Sequence, residues 1–269
     1  MRLVCLITAQ ICIAMMWAAK GLAADRIPIN IAAIDWCPQI CPQASDPGYI
    51  IDIVEDVFKS SPYEPVISIY PWSRAIQYVR NGRAHALLSP AKAEAPDLVY
   101  PDQEVGVQSM CFFVLKDSAW QFEGVPSLEG HLTGLASDTS IEELNNLIED
   151  RADLFFVQPY SDEYIQNSVN MLRAGRVNSF LFTYNTTLHI LRTMGADKEV
   201  RSAGCVSNAK IYMAFSPAPA LAEDVDKMAA YFDRTMGQFK AEGGVTAIMA
   251  RYGLADWSEE DGAVEHHTD

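Results

Sequence analysis

Residues able to ligate or react are few and scattered. In Trp36-Cys37-Pro38-Gln39-Ile40-Cys41-Pro42 two thiols share a short loop stiffened by two prolines. Such a pair suits a local disulfide, or one half of a zinc site. No second Cys/His pair has a ligand-like spacing, because His266 and His267 sit in an acidic tail. Cys111 and Cys205 are distant in sequence and can pair only if the fold brings their strands together. Asp138-Thr139-Ser140 precedes a helical stretch through Glu142, Leu144 and Leu147. Its hydroxyls can cap that helix while free amides face an anionic group, or the turn is a solvated N-cap and nothing more. His85, His131 and His189 are isolated, and there is no G-x-S-x-G, H-E-x-x-H or Gly-rich phosphate loop. No catalytic residue, metal or cofactor is therefore expected.

Composition limits the partners. The chain has 269 residues, 49% hydrophobic and 20% charged, the balance of a folded globular protein. Asp plus Glu number 35 against 20 Lys plus Arg, and the net charge of −15 repels nucleic acid phosphates and anionic lipid surfaces. Residues 1–24 differ from the rest: Arg2, an apolar stretch over 3–17, then small residues through Gly21, Ala23 and Ala24. This pattern reads as a secretory signal cleaved after Ala23 or Ala24. An uncleaved anchor is the other reading, but Thr8, Gln10 and Lys20 leave the run short of the roughly 20 apolar residues that span a bilayer. Removing the segment takes Cys5 and Cys12 with it and leaves four cysteines to meet an oxidising compartment.

The elements that must position these residues alternate. Strands are expected over 27–34, 66–70 and 84–88, and helices over 49–58 and 72–81, the latter closed by Gly82. The order βαβαβ demands a mostly parallel sheet with helices on both faces. The pattern then restarts: strands over 107–116, 132–136, 154–157 and 177–183, with helices over 140–149 and 164–173. Two such sets predict two lobes. The last part, a strand over 211–215 and helices over 220–240 and 245–251, has no strand set of its own and must pack on what precedes it. The tail 258–269 is polar and expected to be loose.

The motifs, in this order, resemble the bacterial extracellular solute-binding proteins of family 3, the bilobed receptors that include amino-acid binders of ABC importers. Pro47-Gly48-Tyr49-Ile50-Ile51-Asp52-Ile53-Val54 is similar to the family's G-[FY]-x-x-D-[IVL] helix start, and Pro71-Trp72-Ser73-Arg74-Ala75 to its second helix start. Arg80-Asn81-Gly82-Arg83-Ala84-His85-Ala86 resembles the G-[KR]-x-D-A element, which Gly175-Arg176-Val177-Asn178-Ser179 repeats. Leu128-Glu129-Gly130 through Ser137-Asp138-Thr139-Ser140 resembles the turn that opens the second lobe's first helix. The resemblance covers nearly the whole mature chain. It implies an α/β, two-lobed periplasmic-binding-protein fold, with 25–108 plus 217–257 as lobe 1 and 109–216 as lobe 2. It also implies a periplasmic monomer that closes on a small-molecule ligand without a cofactor, with a membrane permease as partner. An orphan signalling or redox receptor and a prephenate- or arogenate-type dehydratase are the alternatives on the same fold.

Site residues follow from the same resemblance. Trp72 and Trp36 fall where the amino-acid receptors place stacking aromatics, although each could equally be core, and Tyr49 either lines the cavity or makes a capping contact. Asp138, Thr139 and Ser140 would receive an anionic end of the ligand. The segment Ser89-Pro90-Ala91-Lys92-Ala93-Glu94-Ala95-Pro96 lacks the family's carboxylate-clamping Arg, leaving Lys92, a point charge without the bidentate fork. Arg74 is a second possible clamp. Thr183 stands where the family supplies an Asp to the ligand ammonium, and a neutral hydroxyl cannot pair with a buried charge. An ordinary α-amino acid is thus a poor candidate.

Overall fold

The computed structural model describes residues 26–257 except 43, 138–140, 142, 143, 160 and 162. The expected leader, the Asp138-Thr139-Ser140 turn and the acidic tail lie outside the described residues. In the first half, β1 (Ile27–Ala33) leads through a loop to α1 (Tyr49–Phe58), where Ile50, Ile53, Val54, Val57 and Phe58 recur at helical spacing and are all buried. Then follow β2 (Tyr63–Ile69), α2 (Trp72–Arg80) and β3 (Ala86–Ala91). Pro71 precedes α2, supplying the fixed backbone that opens it, and Ala75, Ile76 and Val79 turn inward.

The second half repeats the plan. It comprises β4 (Gly106–Leu115), β5 (Thr133–Ala136), α3 (Asn145–Asp150), β6 (Phe155–Gln158), α4 (Tyr164–Arg173), β7 (Ser179–Thr183), α5 (Tyr184–Thr193) and β8 (Val200–Phe215). The chain ends in α6 (Ala222–Ala241) and α7 (Gly244–Arg251). Both pack on the first half: Val225, Met228, Phe232, Met236, Val245, Ile248 and Met249 join the core of α1 and β1.

The strands run in the order β2-β1-β3-β8-β4-β7-β5-β6. Parallel trios β2-β1-β3 and β7-β5-β6 flank an antiparallel centre. β8 belongs to both sides: Ile211–Phe215 runs along β3, whereas its earlier residues run along β4 as far as the Gly106–Ile211 pair. Along this crossing, Val107 to Met110 and Gly204 to Lys210 are partly or fully exposed. The buried apolar clusters stay on one side of it or the other. The result is a two-lobed α/β fold whose lobes share two strands and no continuous core.

Three features depart from the sequence-based expectation. The helix expected over 140–149 is α3, which begins at Asn145. α5 carried no clear signal, because just Thr187 and Leu191 among its residues are buried. β8 begins at Val200 rather than 211, and its first part, rich in Ser, Asn, Lys and Gly, lacks the alternation of a core strand. Its pairing with β4 sets Cys111 directly opposite Cys205, and the two are joined; Cys37 and Cys41 are joined as well. Replacing Cys111 and Cys205 together by Ser releases a loop of 94 residues. The expected loss is about 2–4 kcal/mol, measured as a lower urea midpoint of the oxidised protein.

Candidate ligand-binding cleft

The carboxyl ends of β1, β2 and β3 open on one place, which is where open parallel sheets leave a crevice for ligands. Ile34, Asp35 and Trp36 follow β1, Trp72 follows β2, and Ser89 and Glu94 lie at or beyond the end of β3. Together with Gln108 of β4 they line a cavity of about 230 Å³. A second cavity, of about 390 Å³, shares Asp35 and Trp36 and is closed from the other lobe by Tyr164, Ile165, Phe182, Thr186 and Ile190. The Asp35-Trp36 corner thus stands between a space walled by the first lobe and a space facing the second.

That corner is held by backbone hydrogen bonds. Trp36 and Ile40 exchange N–H donors and carbonyl acceptors at 2.8 and 2.9 Å, closing the loop on itself around the Cys37–Cys41 bond. The carbonyls of Pro38 and Gln39 then accept from the N–H groups of Tyr49 and Ile50, both at 3.1 Å. These bonds satisfy two of the free amides that begin α1. The loop can approach so closely because Gly48 has φ 107 and no side chain; a Cβ there would lie 2.4 Å from the Gln39 carbonyl oxygen.

Trp72 and Glu94 are neighbours in this lining. The Glu94 carboxylate accepts from the Ala91 N–H at 2.7 Å, and both that bond and the nearby Trp72 side chain favour its charged form. Glu94 is exposed as a residue, yet its carboxylate end is desolvated, and this pushes its pKa upward despite both influences. Ser89 is 3% exposed and its hydroxyl has no hydrogen-bond partner. It also has φ 72, the one positive value recorded for a non-glycine residue among those described, at a break in the β3–β8 register. Backbone held in that region concentrates at functional sites.

Of the residues singled out from sequence, the fold brings Trp36, Trp72 and Ser89 together. Both indoles are half-buried, packed on core with part of their surface left to the cavity. Tyr49 lines neither cavity: it is fully buried, and its hydroxyl accepts from Asn185 Nδ2 at 3.2 Å. Arg74 is exposed on α2 and also lines neither. Lys92 lies outside both linings, its ammonium over the rings of Tyr212 and Tyr100 at 4.9 and 5.7 Å. Thr183 is buried where β7 meets α5, with its hydroxyl unpartnered, and is likewise absent from both linings. Asp35 and Gln108 drew no attention in the sequence. One polar residue in a loop or crossing strand has no periodicity, and the cue that finds it is its place just past a parallel strand or on the connecting ribbon.

The four cysteines described are disulfide-bonded, so none supplies a thiolate. His131 stacks on Trp120 at 3.8 Å and burial lowers its pKa to about 4, while His85 Nδ1 accepts from the Asn30 N–H. Neither these nor His189 line the cavities. Among the described residues no three His, Cys, Asp or Glu side chains gather to hold a metal, and no helix is long and apolar enough to cross a membrane.

No protein-family model and no curated protein matches the sequence. Solved structures do share the fold. A probable amino-acid ABC transporter extracellular-binding protein from Bacillus subtilis is 15% identical, with 84% of this chain and 97% of that one covered, at a TM-score of 0.64. A histidine kinase sensor domain similar to periplasmic binding proteins is 16% identical over 86% and 97%, at 0.60. An ancestral amino-acid-binding protein described as a precursor of cyclohexadienyl dehydratase is 10% identical over 85% and 95%, at 0.58. Because the Trp36 corner depends on Gly48, Gly48→Ala is expected to cost about 1–3 kcal/mol of stability. Urea unfolding followed by tryptophan fluorescence measures it.

Proposed function

We propose that the chain is an exported receptor that captures a small polar organic solute between its lobes and releases it unchanged. The observation that carries this reading is the cavity walled by Trp36 and Trp72 at the strand ends, next to a second space that reaches the other lobe. Half-buried indoles and a buried free hydroxyl suit a guest with both apolar and polar parts. Closure would bend the exposed β4–β8 ribbon. The direct contacts between lobes include Leu188 of α5 against the first lobe's core, and polar bonds such as Gln39 Nε2 to Thr186 Oγ1 at 3.4 Å, Asn185 to Tyr49, and Arg192 to the Gly253 carbonyl at 2.7 Å. Such bonds exchange for water at little net cost.

The leader-like residues 1–24 and the two disulfides favour a periplasmic location. Handing the solute to an ABC-type permease is the first reading of its role. A sensing role is the second, favoured by the shared fold of the histidine kinase sensor domain. Dehydration of a dicarboxylate is the least favoured, because neither cavity lining contains a Lys, Arg or His to hold a carboxylate.

A metabolite library screened by thermal shift is expected to yield a guest that also changes tryptophan fluorescence and contracts the particle in small-angle scattering. Trp72→Ala is expected to weaken that guest by about thirtyfold while the protein stays folded. Superimposable scattering curves with and without a tightly bound guest would contradict closure. Import and sensing separate in cells: loss of the protein abolishes solute uptake in the first case and spares it in the second.

A further inference from the structure

The lining of the smaller cavity is acidic and aromatic. Asp35 and Glu94 accompany the two indoles, the Ser89 hydroxyl and the Gln108 amide. No Lys, Arg or His lines either cavity, and the positions between 26 and 257 that the structure does not describe include none in the sequence. Lys92 is engaged over Tyr212 and Tyr100. A carboxylate guest would therefore meet two like charges and no counter-charge. A cation meets the opposite: two carboxylates and two indoles, whose π-systems attract positive charge.

The hydroxyl narrows the class further. Ser89 Oγ is buried and unpartnered, a costly state unless a guest supplies the missing bond. An ammonium N–H can donate to it, whereas a quaternary nitrogen has no hydrogen to give. The Ala91 N–H, donating at 2.7 Å, holds the Glu94 carboxylate in place. We propose, on the premise that the chain is a solute receptor, that its cleft selects a protonated amine lacking a carboxylate, with the ammonium directed to Asp35, Glu94 and Ser89.

Calorimetric titration of the oxidised mature chain with phenethylamine and putrescine tests this, each against its carboxylated counterpart, phenylalanine and ornithine, and with tetramethylammonium as a cation without donors. At least one amine is expected to bind about tenfold or more tighter than its counterpart and than tetramethylammonium. Asp35→Asn and Glu94→Gln are each expected to weaken it by about tenfold. Asp35 is exposed, so its variant should unfold at the temperature of the parent. Equal or tighter binding of the amino acids overturns the inference, as does amine affinity indifferent to both variants. If the amines fail but an anionic or neutral metabolite changes the tryptophan fluorescence, the amine class falls and the receptor stands. Silence of the amines and of a whole metabolite extract removes both.

Discussion

The structure depends on one strand pair. β4 and β8 run antiparallel down the middle of the sheet, and every other strand reaches its counterparts in the other lobe through them. Had β8 ended at Lys210, β3 would have β1 on one side and no strand on the other, and the first lobe would expose an unpaired edge. Had the crossing been apolar on both faces, a core would have formed across it and fixed the lobes. It is instead a thin ribbon, continuous in hydrogen bonds and discontinuous in packing. That combination holds the strands of the two lobes in register across the middle of the sheet.

The cleft follows from this arrangement. Two trios of parallel strands point their carboxyl ends toward the crossing, and the loops that leave those ends must share the space beside it. The first lobe answers with a rigid wall. The loop from Trp36 to Cys41 is closed by its own backbone pairing, by a disulfide and by its grip on the start of α1. Rigid aromatic walls reduce the ordering cost of binding, and the indoles are supported from behind by core rather than by solvent.

Much of this was legible in the sequence, and the failures share a cause. α1, α2 and the central strands announce themselves because each buries a stripe, as Ile50, Ile53, Val54 and Val57 do. α5 and the first part of β8 do not, because the helix fully buries just Thr187 and Leu191, with Tyr184, Leu188 and Ile190 packed but partly exposed, and the ribbon has no inner face. Burial pattern is what sequence reading detects, so elements with few buried residues escape it. The same holds in the cleft. Trp36 and Trp72 stand out as large residues in marked contexts, whereas Asp35 and Gln108 are ordinary polar residues whose importance lies in position alone. Tyr49 shows the converse: an aromatic at a helix start invites a binding role, yet the loop that grips α1 and the Asn185 amide enclose it.

An open sheet of eight strands has two rims, and rims are templates on which copies of a protein can stack. Here the outer strands are poor templates. β2 contains Pro65, which offers no backbone donor, and β6 is four residues long. Exposed Val66, Ile69, Phe156 and Val157 make such blunting necessary. The two flanks lie at opposite ends of the sheet, and each outer strand hinders fibre growth on its own side.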